Sequence, residues 1–574
     1  MRNTSPDHGV TEGVTAALEG RRRAAALRDG DPAGAAEALR AAAAALRVAT
    51  HPVEFGLTNY DLAGLLLEGN APTEVLEEAA QAAARALLVF DPQELPDLFA
   101  GASERLGMAQ WRAGRREDAR RTFAQTAGAL GSVQRLALQA RLLGRLARLL
   151  SPAAGAGDGI RVGDALGAFD AAINAARQAE STPLLTSLLN DSGRLIASSQ
   201  GANGAPHSDA ALTRFDEAAA LVDDNDLGAA LPVHGNRAAA YGLRETGDRD
   251  ANLREAIASY QRAVHLPGLK AYPADSARLY RAMGTAWAQR PGGDRVENLR
   301  QADGALQSAI ERMPDDAHRD ERASMWNERG LAQAELAQRG IPGATSAAVT
   351  AFRDGLAAAG GGEATALEAQ LANNLGSAIM TAASQGLEAS LVDAAAALDQ
   401  AAELWTSLGQ PEDAGASYLN AGLVYMTLHS AEREAIHLDR AIKRLQEACA
   451  TRPLGTHPDP HAAAQFNLGM ALAIRAGGTR PDDLTASVAA FRTALQVWTG
   501  PNAPPQAAVA HANLGSMLFG MARQNEPDLL REAAYHYEQA LAVYTAATNP
   551  QQHQIISNNL ALVRRRQAAG NGAV

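Results

Sequence analysis

Residues 464–473 read AQFNLGMALA, and 46 positions later residues 510–519 read AHANLGSMLF. Both stretches place Asn-Leu-Gly between small and apolar residues. The glycine recurs with gaps of 46 or 47 residues at Gly284, Gly330, Gly376, Gly422, Gly469 and Gly515. The same spacing reaches Ala238 and Ser192 upstream and Ala561 downstream. A period held over this length of chain indicates an internal structural repeat.

A second pattern follows the repeated glycine, which we call the marker. It consists of Ala, a large aromatic residue or Leu four positions later, and Ala three positions after that. The clearest examples are Ala256-Tyr260-Ala263, Ala302-Leu306-Ala309, Ala394-Leu398-Ala401, Ala441-Leu445-Ala448 and Ala533-Tyr537-Ala540. Spacings of four and three place all three residues on one face of a helix.

Segments rich in Gly, Pro and Asp, such as QRPGGDRVEN at 289–298, separate the two patterns. We therefore predict that each repeat is a pair of helices, with the marker on helix A and the large residue, the knob, on helix B. A small marker lets the two backbones approach, and the knob fills the space beside it. Each pair leaves one apolar face uncovered, so neighbouring pairs must stack.

The composition excludes several classes of protein. A net charge of −12 argues against a nucleic-acid partner, which requires a basic surface. A single cysteine, Cys449, rules out an intrachain disulfide. No apolar run is long enough to cross a membrane, and the polar N-terminal stretch lacks the apolar region of a secretion signal. We expect a cytoplasmic protein with no membrane partner.

The marker and knob resemble the tetratricopeptide repeat (TPR). Leu106, Gly107, Gly114, Ala119 and Phe123 match its pattern at the spacing of the usual repeat of about 34 residues. Elsewhere the marker precedes the knob by 22 or 23 residues rather than 16. This long-period form is similar to the arrays of actinobacterial and fungal signalling proteins. Those arrays are often fused to CHAT-type protease or STAND-type nucleotide-binding modules, which the resemblance implies as partner classes.

The resemblance and the period predict an all-α fold, a right-handed α-solenoid of about twelve TPR-like hairpins with a C-terminal capping helix. The N-terminal hairpins are less regular than the later ones, and a Gly-rich segment interrupts the array. The predicted organisation is a disordered tail at 1–12, irregular hairpins at 13–150, a loop or hinge at 151–164, the regular array at 165–550, the capping helix at 551–568, and a disordered tail at 569–574.

An asparagine lies two residues before most markers, or before the residue that replaces the glycine. These residues are Asn190, Asn236, Asn374, Asn420, Asn467, Asn513 and Asn559. On helix A this offset points toward the concave side of a solenoid. A primary amide both donates and accepts hydrogen bonds, so a column of amides can hold an extended peptide backbone. The resemblance implies the same, because several TPR proteins use such a ladder. The alternative is that each amide bonds within its own repeat.

The residues around the column narrow the class of ligand. Helix-A positions that carry Lys or Arg in TPR proteins that bind a free carboxylate are small or apolar here, as at Ala416, Ala463 and Val509. Nearby apolar side chains would suit an apolar or helical ligand, although the same residues also suit simple packing. They are Met380, Met426, Met470 and Phe519.

No motif for nucleotide binding, zinc proteolysis or serine hydrolysis occurs, so we expect no catalysis and no cofactor. His457 and His461 are four residues apart but lack a third ligand, and His429 and His437 have no partner motif. We therefore expect no bound metal. Cys449 lies on a B helix and is interpreted as a structural thiol, since a caspase-type cysteine needs its own α/β domain.

Three functions remain compatible with these residues. The first is a non-catalytic scaffold or regulator that binds a peptide segment of a partner protein, as a monomer or dimer. The second is an enzyme with an unrecognised active site in the solenoid cavity. The third is a self-assembling structural array, against which the predicted capping helix argues.

Overall fold

The computed structural model describes residues 6–151, 162–199, 208–314, 318–360, 365–477, 480–500, 503–522 and 526–571. Within these ranges the regular elements are helices, and no strand is present. Consecutive helices pair into antiparallel hairpins, each with a helix A followed by a helix B. The described residues contain twelve such hairpins and one further helix, which agrees with the predicted count.

The first compact unit holds six hairpins and comprises Met1–Tyr272 together with Gln289–Pro291. Its helices are α1 (Pro6–Leu27), α2 (Pro32–Ala45), α3 (Pro52–Leu66), α4 (Thr73–Leu87), α5 (Pro96–Arg112), α6 (Arg116–Ser132), α7 (Leu136–Leu150), α8 (Val162–Gln178), α9 (Thr182–Ser198), α10 (Ser208–Leu221), α11 (Leu227–Leu243) and α12 (Arg249–Val264). A 3-10 turn at Leu269–Ala271 follows the last of them.

The second compact unit comprises Pro273–Ala288 and Gly292–Val574. Its helices are α13 (Pro273–Gln289), α14 (Arg295–Arg312), α15 (Arg319–Gln338), α16 (Ala344–Ala359), α17 (Ala366–Ser384), α18 (Leu391–Ser407), α19 (Pro411–Glu432), α20 (Ala435–Thr451), α21 (Pro458–Ala476), α22 (Pro481–Val497), α23 (Pro505–Met521), α24 (Pro527–Val543) and α25 (Pro550–Asn571). Six hairpins are thus followed by one unpaired helix.

The helices begin at residues that favour or cap a helix N-terminus. Proline stands in the first turn of many helices, as at Pro411 and Pro458, where its missing N–H needs no partner. Aspartate caps others: the carboxylate of Asp294 accepts hydrogen bonds from the backbone N–H groups of Val296 and Glu297. Such residues fix where these helices begin.

The markers lie where helix B crosses helix A. A Cβ atom built on Gly330 would lie 2.4 Å from Cε1 of Phe352, and one built on Gly376 would lie 2.5 Å from Cγ of Leu398. Leu398 is a predicted knob, Phe352 occupies the same place in its own hairpin, and both are buried. The predicted relation between marker and knob is therefore confirmed in these two hairpins, because no residue larger than glycine fits at either crossing.

One marker lies one residue later than the sequence period indicates. In the hairpin of α9 and α10 the knob Phe215 packs on Gly193, on which a Cβ would lie 2.6 Å from Cε1 of that ring. The period alone assigned the position to Ser192, and this was wrong by one residue. Asn190 consequently stands three residues before its marker rather than two.

Tryptophans fill the spaces between hairpins of the second unit. Trp405 packs with Ala369 and Ala414, which belong to the helices before and after α18. Trp498 packs in the same way with Ala462 and Ala507. Both tryptophans lie two turns beyond the large residue of their hairpin, Leu398 or Phe491, and they pack between successive repeats.

The ends and the Gly-rich segment lie partly outside the described residues. These omitted parts are 1–5 and 572–574 of the predicted tails and 152–161 of the predicted loop or hinge. α1 begins at Pro6, α8 begins at Val162, and α25 extends to Asn571. The helices therefore continue a few residues into ranges that the sequence analysis left without secondary structure.

Candidate functional site

The A helices form the inner layer of each unit. In the first unit α3, α5 and α7 pack on one another in succession, and in the second α15, α17 and α19 do the same. The B helices pack against the A helices of their own and the next hairpin more extensively than they pack against each other. The A helices therefore lie on the more closely packed, concave side of each stack.

The asparagines of the second unit lie on this inner layer and are bonded between hairpins. Nδ2 of Asn374 donates to Oδ1 of Asn327, 3.0 Å away on the preceding A helix. Nδ2 of Asn420 lies 3.4 Å from Oδ1 of Asn373, and that oxygen also accepts a hydrogen bond from Ser417 at 3.2 Å. These amides connect α15 to α17 and α17 to α19.

The next three asparagines of the column have different partners. Asn467 donates to the carbonyl of Ala463 on its own helix, at 2.9 Å. Nδ2 of Asn513 lies 2.9 Å from Sδ of Met470 on the preceding A helix. Asn559 on α25 is hydrogen-bonded to the hydroxyl of Tyr537. The alternative of bonding within the repeat therefore describes Asn467 but neither Asn374 nor Asn420.

The first unit contains one pair of the same kind. Nδ2 of Asn236 donates to Oδ1 of Asn190 at 2.9 Å, across the A helices α9 and α11. Asn190 is buried and Asn236 is half-buried. Each bond of this kind uses one of the two N–H groups of the donating amide.

The sequence analysis missed other polar residues on the same inner layer. Asn327 and Asn373 stand three residues before their markers and complete the amide pairs of the second unit. In the first unit, arginine replaces asparagine two residues before the small residue, at Arg105 before Gly107 and at Arg145 before Ala147. Counting back from the knobs Phe123 and Phe169 would have found both arginines.

The apolar residues beside the column are half-buried. Met380 and Met426 pack against the cluster that contains Leu375 and Val424. Met470 and Phe519 pack in the same way against the C-terminal cluster of the second unit. Packing therefore explains most of their contacts, and only their exposed parts remain for a ligand.

Three features now identify the architecture. A small marker lies on helix A, a large knob lies on helix B 16, 22 or 23 residues later, and the A helices stack as the inner layer. The chain is a TPR-like repeat protein. No protein-family model matches this TPR-like chain. No curated protein sequence matches it significantly either.

Several solved structures are similar to the TPR-like chain. The apo form of RapI is 12% identical, with 71% of this chain and 97% of that chain covered and a TM-score of 0.37. A STAND protein with a tetratricopeptide repeat sensor from Pyrococcus horikoshii is 13% identical, covering 92% of this chain and 74% of that chain, with a TM-score of 0.35. The Cut9–Hcn1 tetramer gives 14% identity, coverage of 95% and 96%, and a TM-score of 0.30. Similarities of this size carry no information on partner or activity.

Burial and local contacts account for the cysteine and for the two histidines that are four residues apart. Cys449 is half-buried, and burial raises the pKa of its thiol to about 12, so the thiolate is scarce at neutral pH. Nδ1 of His461 bonds the carbonyl of Arg452 at 2.9 Å, whereas His457 lies 3.3 Å from a carboxylate oxygen of Glu412. The two histidines thus have separate partners.

One cluster of the described residues brings three metal-ligating groups together. Ligand atoms of Glu432, Glu434 and His437 lie within 4.8 Å of one another at the turn between α19 and α20. Nε2 of His437 already bonds Glu432 at 2.7 Å, and both carboxylates are exposed. The hydrogen bond between His437 and Glu432 accounts for this arrangement. None of the described helices is long and apolar enough to cross a membrane.

Proposed function

We propose that this protein is a non-catalytic interaction scaffold that binds a segment of a partner protein on the inner layer of its second unit. The column of Asn374, Asn420, Asn467, Asn513 and Asn559 would contact the backbone of that segment. The observation that carries the proposal is the series of half-buried amides on successive A helices, whose side chains are held in place by bonds to neighbouring residues.

The physical argument rests on preorganisation. An amide whose orientation is held by one hydrogen bond loses less conformational freedom when a ligand binds. The pairs of Asn374 with Asn327 and Asn420 with Asn373 provide such support. Backbone N–H and C=O groups of a bound segment would meet the remaining amide groups, and this recognition does not depend on the side chains of the segment.

The partner class follows from the resemblance of the repeat to long-period signalling arrays. We propose a CHAT-type protease or a STAND-type NTPase, or a protein that regulates one. The array would then act by holding or sequestering that partner.

The test combines purification of the partner with a matched set of variants. The tagged chain is purified from its native cells, co-purified proteins are identified by mass spectrometry, and the affinity of the purified partner is measured by isothermal titration calorimetry. Asn420, Asn467 and Asn513 are then changed together to Ala. We expect the affinity to fall by about tenfold or more, since lost hydrogen bonds in an interface each cost about 0.5–1.5 kcal/mol.

The control removes three amides from the outer side of the same hairpins. Gln446, Gln496 and Gln539 are exposed on the B helices α20, α22 and α24. Changing these three to Ala should leave the affinity unchanged, and circular dichroism should show equal helicity for both triple variants. Equal binding by the asparagine triple variant and the wild type would refute the role of the column.

A further inference from the structure

Two histidines of the last hairpin face each other through the same ring nitrogen. His511 lies on helix A, α23, and His536 lies on helix B, α24. Their Nδ1 atoms are 2.8 Å apart, and the planes of the two rings are inclined by 33°. The lone pair of one Nδ1 atom therefore meets the N–H group of the other, and a single proton lies between the rings.

Both rings are mainly neutral at pH 7, and neutral imidazole is the form that binds metal ions. Burial, with a smaller effect of His536, lowers the pKa of His511 from 6.5 to about 4. Burial also lowers the pKa of His536, against the opposing effect of Glu532. Neither ring therefore needs to lose a positive charge before it can act as a ligand.

The other nitrogen of His536 faces a carboxylate. Nε2 of His536 lies 3.6 Å from Oε1 of Glu532, one helical turn earlier on α24. Arg492 of α22 orients this carboxylate, because its Nε and Nη2 donate to the two oxygens at 2.9 and 2.7 Å. A carboxylate at this distance favours the tautomer with the proton on Nε2, which leaves the lone pair on Nδ1. Histidines that bind metal ions are commonly oriented by a carboxylate in this way.

His511 then carries the proton that lies between the two rings. It is half-buried, and its Nε2 has no hydrogen-bond partner in the part of the chain that the structure describes. When a cation replaces the proton on Nδ1, a proton on Nε2 keeps this ring neutral. Both Nδ1 lone pairs are then directed at one point.

We propose that Nδ1 of His511 and Nδ1 of His536 together bind one divalent transition-metal ion of the Zn²⁺ class. Zn²⁺ binds imidazole nitrogen at about 2.0–2.1 Å with tetrahedral geometry, so the two nitrogens need to separate to about 3.3 Å. Small rotations of the rings provide this change, and water completes the tetrahedron. Imidazole ligands suit Zn²⁺, whereas Ca²⁺ and Mg²⁺ prefer oxygen.

The bound ion joins helix A to helix B of the last hairpin. The expectation of no bound metal rested on histidines that are close in sequence, whereas these two are 25 positions apart on different helices. Neither histidine belongs to the asparagine column, so the two proposals are tested by separate variants. Loss of Asn420, Asn467 and Asn513 should leave the affinity for Zn²⁺ unchanged.

The experiment first removes the competing cluster at the turn between α19 and α20. Glu432 and Glu434 are exposed, and both are changed to Gln in the full chain to give the reference chain. After treatment with EDTA and desalting, the reference chain is titrated with Zn²⁺ by isothermal titration calorimetry. We expect one equivalent of Zn²⁺ to bind at this site and to raise the melting temperature, and Ca²⁺ to do neither.

His511→Gln in the reference chain removes one of the two protein ligands. We expect the affinity for Zn²⁺ to fall by about tenfold or more, since loss of even an outer-shell partner of a metal ligand costs at least about that factor. His536→Gln provides the same test if His511→Gln does not fold, and circular dichroism establishes which variants are folded.

The control changes a histidine of similar exposure outside the pair. His553 is half-buried on α25, and His553→Gln should leave the affinity within about twofold of that of the reference chain. Three results would each overturn the proposal. They are no binding of Zn²⁺ to the reference chain, equal binding of Ca²⁺, and undiminished affinity of a folded variant that lacks His511 or His536.

Discussion

Asn374 and Asn327 form a direct amide pair between adjacent hairpins, with Nδ2 of Asn374 3.0 Å from Oδ1 of Asn327. They occupy different positions relative to their markers, two residues before Gly376 and three before Gly330. The pair therefore joins two successive repeats through positions that do not correspond. It contributes to the stacking of the array as well as to the surface that a partner would meet.

A double-mutant cycle on this pair should reveal coupling. Changing either Asn374 or Asn327 to Ala should lower the free energy of unfolding by about 1 kcal/mol, because one amide loses its partner. The double variant should lose less than the sum, with a coupling energy of about 0.5–1.5 kcal/mol. Urea denaturation followed by circular dichroism gives each value.

The control cycle combines Asn374→Ala with Asn467→Ala, since Asn467 bonds its own helix at Ala463. Those two changes should be additive within about 0.5 kcal/mol. Strict additivity in both cycles would mean that the amide pair contributes nothing to stability.

A single methyl group added at the crossing of α15 and α16 should lower the stability of the protein. Gly330→Ala should destabilise the protein by about 1–3 kcal/mol, because the new Cβ would approach the ring of Phe352. Gly304 offers a matched control: it is exposed within α14, and a Cβ there would meet nothing within 4 Å. Gly304→Ala should stabilise by about 0.5–1 kcal/mol. Melting temperatures that shift in the same direction for both variants would contradict the packing argument.

The final helix should be sensitive to charge on one face only. Val563 is fully buried against the preceding hairpin, and its neighbour Leu562 is 48% exposed. Val563→Asp places a carboxylate in an apolar cluster and should cost about 3 kcal/mol or more, whereas Leu562→Asp should change stability by less than about 0.5 kcal/mol. Thermal denaturation distinguishes the two. Similar losses would show that α25 does not pack as described.

The pair of His511 and His536 should make the last hairpin sensitive to acid. Their Nδ1 atoms are 2.8 Å apart, so one ring donates and the other accepts. Burial, with a smaller effect of His536, lowers the pKa of His511 from 6.5 to about 4, and burial also lowers the pKa of His536. The unfolded chain therefore binds protons between pH 6.5 and 4 that the folded chain does not.

The free energy of unfolding should accordingly be highest above about pH 6.5. It should decrease by on the order of 1–3 kcal/mol as the pH falls toward about 4. His511→Gln removes one titrating ring and should flatten this part of the profile of melting temperature against pH. His265→Gln, on an exposed residue, should leave the profile unchanged. A wild-type profile that is flat over this range would exclude the proposed titration.

Much of the fold could be predicted from residue types and their spacing. The markers Gly330 and Gly376 were assigned from the period and the knob Leu398 from the pattern that follows it, and Gly376 and Leu398 meet as predicted. Such contacts are predictable because both partners lie within one hairpin, where chain connectivity limits how the two helices can cross. The shift from Ser192 to Gly193 shows the limit of the method, since a period cannot resolve a change of one residue.

The residues of the candidate functional surface could be predicted less completely from the sequence. The column of asparagines was found from its offset, but the partners Asn327 and Asn373 were not, because they belong to a different position in the repeat. Arg105 and Arg145 were also missed, because they replace asparagine in shorter or less regular hairpins.

The sequence by itself determined the repeat unit, the number of hairpins and the residues at most of the helix crossings. These properties depend on which side chains are small, large or helix-breaking at fixed intervals along one chain. Only the tertiary structure decided which amides pair across hairpins. Those contacts depend on the rotation and offset of each helix relative to its neighbour, which follow from the packing of many side chains at once.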